Sequence, residues 1–319
     1  MAKYLVCVSD NRHDDYEIER KMLSSIGADL RICDCKTPQD IAAQCCDADA
    51  ILLNLAPMTA EAIGALKHCR VINRYGVGYD NVDLKAAEQA GIAVTNVPDY
   101  CMEDVSDHAL ALLMTCLRQT AFRDRKIRDG AWNIQKTSFR LAGKTLGVIG
   151  AGRIARALIR KTSGFGLHEI VAYDPYVSAE DLASIGVRKV DLDELLAVSD
   201  FVSLHLHVTE ATKEIINRRT LKKMKQTAIL INVSRGALIN DEDLLFALQN
   251  GTILAAGLDT HNNEPLGPDS AFCKMDNVVL TDHTAYATIE GVRELKEKSA
   301  QNIIDELSGS PSKNRVTYH

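Results

Sequence analysis

The sequence predicts two doubly wound α/β domains, each a parallel sheet covered by helices on both faces. Three observations carry that expectation. Short apolar runs alternate with amphipathic helical stretches along most of the 319 residues, a length that suits about two domains. The alternation lapses between residues 102 and 128, where one long helical pattern stands. It resumes at Lys144 with a strand, a glycine turn, a helix and a second strand that ends on Asp174.

In chain order, residues 4–9 read as a buried strand and 14–26 as a helix with Ile18, Met22 and Ile26 on one face. Strands follow at 29–33, 50–55, 71–74 and 92–95, with helices at 38–46, 60–66 and 84–90 between them. Strands separated by helices require right-handed crossovers and hence a parallel sheet. The 102–128 helix spaces Val105, Leu110, Leu113, Met114 and Leu117 for burial, and Gly130 is a plausible stop. After the glycine turn, strands are expected at 187–190, 201–206, 228–233, 254–258 and 278–280, and helices at 192–198, 218–224 and 242–249. A last helix, 288–307, carries Ile289, Val292, Leu295 and Ile303 before a short polar tail. The expected division is a discontinuous domain, 1–100 with 287–319, and a second domain, 101–286, with a cleft between them as the usual place for a small-molecule site.

The most specific local signal is Gly150-x-Gly152-x-x-Ala155, set between the strand 146–149 and a helix. Gly150 permits the tight turn, Gly152 lets a backbone approach a pyrophosphate, and Ala155 keeps the helix close to the sheet. The helix N-terminus offers free N–H groups and a positive dipole end to phosphates. Asp174 stands where a ribose 2′-hydroxyl needs an acceptor, so a dinucleotide is the expected ligand.

Composition narrows the class. Hydrophobic residues at 46% and charged residues at 25% are ordinary for a globular chain, and a formal charge of −6 without a basic block argues against nucleic acid. The nine cysteines are odd in number, and their close pairs are Cys33/Cys35 and Cys45/Cys46. No CxxC occurs, so neither a disulfide framework nor a zinc site is expected, and free thiols in a reducing cytoplasm are. The N-terminus enters a strand pattern without a signal peptide, and no apolar run approaches a membrane span of about eighteen residues.

Three ionisable residues follow apolar strands on the edge that carries the Gly150 turn. Arg235 comes just after 229–233, Glu264 precedes Pro265 after Asp259, and His283 follows 278–282. Open α/β sheets bind ligands at that edge.

Together these stretches resemble the D-isomer-specific 2-hydroxyacid dehydrogenase family over almost the whole chain. The matching segments are Arg74-Tyr-Gly-Val-Gly-Tyr-Asp-Asn-Val-Asp83, Gly150-Ala-Gly-Arg-Ile-Ala155, Asn232-Val-Ser-Arg-Gly-Ala-Leu-Ile239, Gly257-Leu-Asp259, Glu264-Pro265 and His283-Thr-Ala285. The resemblance implies a flavodoxin-like substrate domain, a Rossmann NAD domain, and interconversion of a small 2-oxo acid and its D-2-hydroxy acid. It assigns the substrate's carboxylate and carbonyl oxygen to Arg235, and acid–base catalysis to His283 paired with Glu264. Val77 and Gly78 would offer N–H groups to the carboxylate, with Tyr286 also toward the substrate. The expected NAD contacts are the Ala151–Ile154 turn, including Arg153 and Ile154, with Gly150, Gly152, Asp174, His205, Val233 and Asp259. The types suit the chemistry: a histidine held protonated by a carboxylate delivers a proton to a carbonyl oxygen, and a guanidinium fork holds a carboxylate while polarising that carbonyl. Formate dehydrogenases of the superfamily have glutamine where Glu264 stands, so the glutamate favours a hydroxyacid.

Some positions depart from the family pattern. His207 stands where proline is common, and His205 with His207 would share one side of a strand, yet no third ligand for a metal is recognisable nearby, and no metal is expected. Residues 54–58 lack the arginine of phosphoglycerate-using members. The segment 96–101 and Tyr286 look closest to the C-terminal-binding-protein-like branch, which supplies an alternative: an NAD-sensing interaction protein with residual dehydrogenase activity. Family precedent and the apolar positions on more than one face of 102–128 suggest a homodimer. Trp132 is expected to pack against its domain core, His108 to serve helix packing, and Tyr75, Tyr100 and Cys101 either to line a pocket or to pack.

Overall fold

The computed structural model describes residues 2–136 and 138–318 and divides into two compact units, Met1–Tyr100 with Thr288–His319, and Cys101–Ala287. The first unit begins β1 (Tyr4–Val8), α1 (Glu17–Leu23), β2 (Ala28–Ile32), α2 (Pro38–Gln44), β3 (Ala50–Leu53), α3 (Ala60–Ala65), β4 (Val71–Arg74), α4 (Leu84–Gln89) and β5 (Ala93–Thr95). The winding β2-β1-β3-β4-β5 is parallel and of the flavodoxin type. Every residue of β3 is buried, as a strand covered on both faces must be. Helix starts follow the local chemistry. Thr37 accepts from the Asp40 N–H, Asp40 caps back onto Thr37, and Pro38 occupies the first turn of α2.

The expected 14–26 helix is shorter and turned. A 3-10 turn, Ser24–Ile26, takes over after α1, and the buried residues are Glu19 and Leu23. Ile18, Met22 and Ile26 are only half-buried. Glu19 faces inward because its carboxylate accepts a 2.8 Å hydrogen bond from the Tyr75 hydroxyl.

The second unit opens with a correction as well. The 102–128 stretch forms two helices, α5 (Met102–Arg118) and α6 (Thr120–Arg128), broken at Gln119 with φ +56°. The buried stripe Val105, Ala109, Leu112, Leu113, Cys116 and Leu117 ends just before the break, and α6 buries no residue. Leu110 and Met114 are half-buried. Trp132 is 78% exposed rather than packed on the core, because the loop carrying it follows that unburied helix.

Then come β6 (Thr145–Ile149), α7 (Arg153–Thr162), β7 (Glu169–Tyr173), α8 (Ala179–Ala183), β8 (Arg188–Lys189), α9 (Leu192–Val198), β9 (Phe201–Leu204), α10 (Arg218–Leu221), β10 (Ile229–Asn232), α11 (Asp241–Gln249), β11 (Ala255–Leu258) and β12 (Val278–Leu280). The short α8 is not anticipated; Ser178 starts it by accepting from the Asp181 N–H. The parallel order β8-β7-β6-β9-β10-β11-β12 reverses between β6 and β9, the topological switch point of a Rossmann sheet.

The chain then returns to the first unit with α12 (Ile289–Leu307) and β13 (Arg315–Val316). β13 adds an antiparallel edge strand beside β5, where a polar tail is expected. Tertiary partners decide it: Arg315 is bound to Glu306 at 2.7 and 2.6 Å, and Asn302 accepts from the Ser312 hydroxyl and the Asn314 amide. Among the described residues no helix is long and apolar enough to cross a membrane.

Candidate active site

The site in the second unit starts at the switch point. Gly150 leaves β6 with φ +89°, and a side chain there would collide with the His205 carbonyl, 2.5 Å from the added carbon. Only glycine meets both constraints. Gly152 caps α7 without a side-chain bond, and a Cβ at Gly152 would stand in open space. The turn thus has what a pyrophosphate needs: first-turn N–H groups not taken by a capping side chain, and no side chain in the approach. Ala155 is fully buried, while Arg153 is exposed and Ile154 half-buried. Asp174 sits at the end of β7. It accepts from the Ala151 N–H and the Tyr176 N–H, both at 2.8 Å, so the carboxylate lies against the turn. A carboxylate has about four acceptor positions, so these two bonds leave it able to accept a hydroxyl. The residues present fit a dinucleotide.

Arg235, Glu264 and His283 follow β10, β11 and β12, which are neighbours in the sheet. Asn232 braces the arginine loop by donating to the Arg235 carbonyl at 2.8 Å and accepting from the Ser234 N–H at 3.0 Å. At Gly236 an added Cβ would meet the His261 carbonyl carbon at 2.1 Å, so this glycine lets the Arg235 loop close onto the loop that carries Glu264.

His283 Nδ1 and Glu264 Oε2 are 2.8 Å apart. The other carboxylate oxygen, Oε1, accepts from the His261 N–H at 2.9 Å. Burial pushes the Glu264 carboxyl up, but these two bonds prevail and hold it below its ordinary range. With Nδ1 engaged, Nε2 is the nitrogen left to exchange a proton with a ligand. His283 itself has φ +57°, an uncommon conformation for a residue with a side chain. It persists because its N–H donates to the Asp259 carbonyl at 2.8 Å while the ring is tied to Glu264.

Asp259 is the fixed point of this loop. It is fully buried, and its carboxylate accepts from the Thr281 hydroxyl at 2.6 Å and from the N–H groups of Thr284 and Ala285 at 3.0 and 3.1 Å. His108 Nε2 lies 3.4 Å from it and 2.9 Å from Thr281 Oγ1. Burial opposes the charge, yet the hydrogen bonds from His108, Thr281, Thr284 and Ala285 hold the pKa down to about 2. A carboxylate so enclosed fixes the shape of the loop that donates to it. The expectation for His108 is corrected here: its ring joins this polar network rather than serving helix packing. His261 and Thr281 were not singled out from sequence. His261 Nε2 lies 2.8 Å from the Thr281 carbonyl while its N–H fixes Glu264. Their signal was position alone, at strand ends beside Glu264 and His283.

His205 Nε2 lies 2.9 Å from Ser203 Oγ, and burial lowers its pKa to about 4, so it stays neutral at working pH. β9 ends at Leu204, so the strand geometry proposed for His205 and His207 does not extend to them, and His207 is exposed. Val233 is buried at the end of β10 and Tyr286 is half-buried beyond the histidine loop. Val77 and Gly78 belong to the first unit, in the loop after β4, where the Val77 carbonyl accepts from the Asn96 amide at 2.7 Å. Tyr75, Tyr100 and Cys101 are buried, and the Tyr75 hydroxyl donates to Glu19.

Comparison with known proteins agrees with this fold. The family profile described as "D-isomer specific 2-hydroxyacid dehydrogenase, NAD binding domain" matches residues 110–285. A glyoxylate reductase of Korarchaeum cryptofilum is 40% identical over 264 residues, covering 81% of this chain and 79% of its own. A D-3-phosphoglycerate dehydrogenase of Archaeoglobus fulgidus is 38% identical over 258 residues, 81% of this chain but 49% of its own, so the chain spans about half the length of that relative. Among solved structures, the apo D-lactate dehydrogenase of Escherichia coli has a TM-score of 0.86 at 30% identity, covering 98% of this chain and 100% of its own. A glyoxylate reductase from Paecilomyes thermophila gives 0.89 at 30% identity, covering 99% and 98%.

Proposed function

The chain belongs to the D-isomer-specific 2-hydroxyacid dehydrogenases, and on that premise we propose that it interconverts a small 2-oxo acid and its D-2-hydroxy acid with NAD as hydride carrier. The observation that carries the reading is the 2.8 Å pair of His283 and Glu264 at the edge that also presents Arg235 and the Gly150 turn. When bound, the nicotinamide supplies or accepts the hydride at the substrate's C2. His283 then gives its Nε2 proton to the carbonyl oxygen in reduction and takes it back in oxidation. Glu264, ionised by its two bonds, holds Nδ1 and so fixes the orientation of the ring that presents Nε2. Arg235 holds the carboxylate and polarises the carbonyl. Asp259 sets the histidine loop, and Thr281, His108 and His261 hold Asp259 and Glu264 in place. Val77 and Gly78 would contribute N–H groups to the carboxylate, with Tyr286 toward the substrate. Gly150 to Ile154, Asp174, His205 and Val233 would serve the cofactor.

Two further expectations belong to the same reading. The half-buried Leu110 and Met114 and the exposed Trp132 support a homodimer built on the second unit. A cytoplasmic setting suits the abundance of free thiols. The interaction-protein reading is not favoured, since the relatives above are named as a reductase and dehydrogenases. The test is NADH oxidation over a panel of 2-oxo acids, with glyoxylate, pyruvate and longer aliphatic members. Turnover that falls by about 10²-fold in His283→Ala, with NADH binding retained, supports the assignment. Tight NADH binding with no reduction across the panel would return the interaction reading to the lead.

A further inference from the structure

Outside the catalytic unit, the first unit gathers sulfur. Cys7 lies within β1, Cys33 and Cys35 follow β2, and Cys45 caps α2. All four are buried, between 0% and 5% exposed. The Sγ atoms of Cys7, Cys33 and Cys45 lie within 4.8 Å of one another. Cys45 Sγ is 3.8 Å from Cys33 Sγ and 4.0 Å from Cys35 Sγ. The backbone beneath them is set by the sheet and helix: the Cys33 N–H donates to the Val8 carbonyl, the Cys35 N–H to Ser9 and the Cys45 N–H to Ile41, at 2.8–2.9 Å. Among the described residues this is the one cluster of His, Cys, Asp and Glu with ligand atoms so closely convergent.

We propose that Cys7, Cys33 and Cys45, with Cys35 as the fourth ligand, form a structural site for one thiophilic d10 cation, Zn2+ or Cu+. The spacing is the argument. At a Zn–S length of about 2.3 Å, two thiolates on one tetrahedral ion stand about 3.8 Å apart. The Cys33–Cys45 and Cys35–Cys45 separations already match that, Cys7 needs to close by about an ångström at most, and Cys35, which lies outside the 4.8 Å group, must swing toward it to complete the tetrahedron. Sulfur ligands select soft ions over magnesium or calcium. A polynuclear iron–sulfur core would spread its thiolates over several irons, farther apart than these. Small apolar residues would fill the same volume, so packing alone does not require cysteine at four converging positions. Each thiol that coordinates releases its proton to solvent, and no electron is transferred. The site spans β1, the β2–α2 connection and the end of α2, so an ion there would staple the N-terminal half of the first unit. The proposal is independent of the dehydrogenase reaction.

The full chain, grown with zinc and copper in the medium and purified under reducing conditions, is assayed for metal by mass spectrometry. About one ion per chain is expected, and the element found separates the zinc and copper arms. Refolding with Co2+ in place of the native ion should give thiolate-to-cobalt charge transfer and the intense visible bands of a tetrahedral site. Cys33→Ser and Cys45→Ser should lower occupancy by at least tenfold, and Cys273→Ser, on an exposed cysteine, should leave it unchanged. If the two serine variants do not fold, the metal count and cobalt spectrum of the unmodified chain decide. The proposal is overturned if that chain holds no stoichiometric ion either as isolated or after reconstitution with Zn2+ or Cu+. It is equally overturned if peptide mapping finds Cys45 in a disulfide with Cys33 or Cys35.

Discussion

Replacing Asp259 by asparagine tests how the catalytic loop is held. The aspartate is fully buried, and three donors at 2.6, 3.0 and 3.1 Å, with His108 at 3.4 Å, converge on its carboxylate. Asparagine keeps the shape but offers one acceptor oxygen and turns an NH2 toward groups that are themselves donors. Holding a carboxyl at about 2 instead of its ordinary 3.8 is by itself worth about 2 kcal/mol at neutral pH. Leaving a buried N–H unpaired adds about 1–3 kcal/mol. The expected loss is therefore about 3–5 kcal/mol at pH 7. The sign of the pH dependence follows from the lowered native pKa. The aspartate's ionised-state contribution is complete above pH about 4 and is lost as pH falls toward 2, so the difference between the proteins should shrink by about 1 kcal/mol near pH 3 while the unpaired N–H cost remains. Urea unfolding at several pH values, followed by far-ultraviolet circular dichroism, measures this; Trp132 is already 78% exposed and makes a poor fluorescent probe. NADH should still bind, while kcat falls by about 10²-fold because His283 is no longer set for proton transfer. A variant within about 0.5 kcal/mol of the parent at pH 7, or a difference that does not change down to pH 3, would refute the role given to Asp259.

Glu264→Gln should lower kcat for 2-oxo acid reduction with NADH binding retained, since a neutral amide oxygen holds the His283 Nδ1 less firmly than a carboxylate; an unchanged kcat would count against the pair. Arg235→Ala should raise KM and lower kcat together, because the cation contacts substrate before and during hydride transfer, and an unchanged KM in steady-state kinetics would remove it from the site. Asp174 should disfavour a 2′-phosphate, with Pro175, Tyr176 and Val177 after it offering no cation. Strong preference for NADH is expected, reduced in Asp174→Ala, and equal kcat/KM for NADH and NADPH in the parent would contradict it. Sedimentation at micromolar concentration should show a dimer, and a 35.0 kDa species would refute the assembly.

Much of this protein was legible in one dimension. Alternating apolar runs of strand and helix length specify both sheets because a parallel strand must be buried on both faces, and β4, β12 and α9 fall on the expected residues. The Gly150 turn, Asp174, Arg235, Glu264 and His283 were also legible as candidates, since each lies in the turn or loop that follows an apolar strand and so toward a sheet edge. Where the structure differs, the reason is a partner distant in sequence. Glu19 turns inward for Tyr75, and the polar tail becomes β13 because Glu306 and Asn302 wait for it. The 102–128 helix breaks at Gln119 where its buried stripe runs out. His108 lies 151 positions before Asp259, and no local spacing links it to the network that it shares with Thr281. The sulfur cluster makes the same point. Without a CxxC the sequence suggests no metal, whereas parallel pairing of β1 with β2 and the return of α2 bring Cys7, Cys33 and Cys45 to one point. Periodicity records which face of an element is buried, and only the packed sheet decides which side chains meet there.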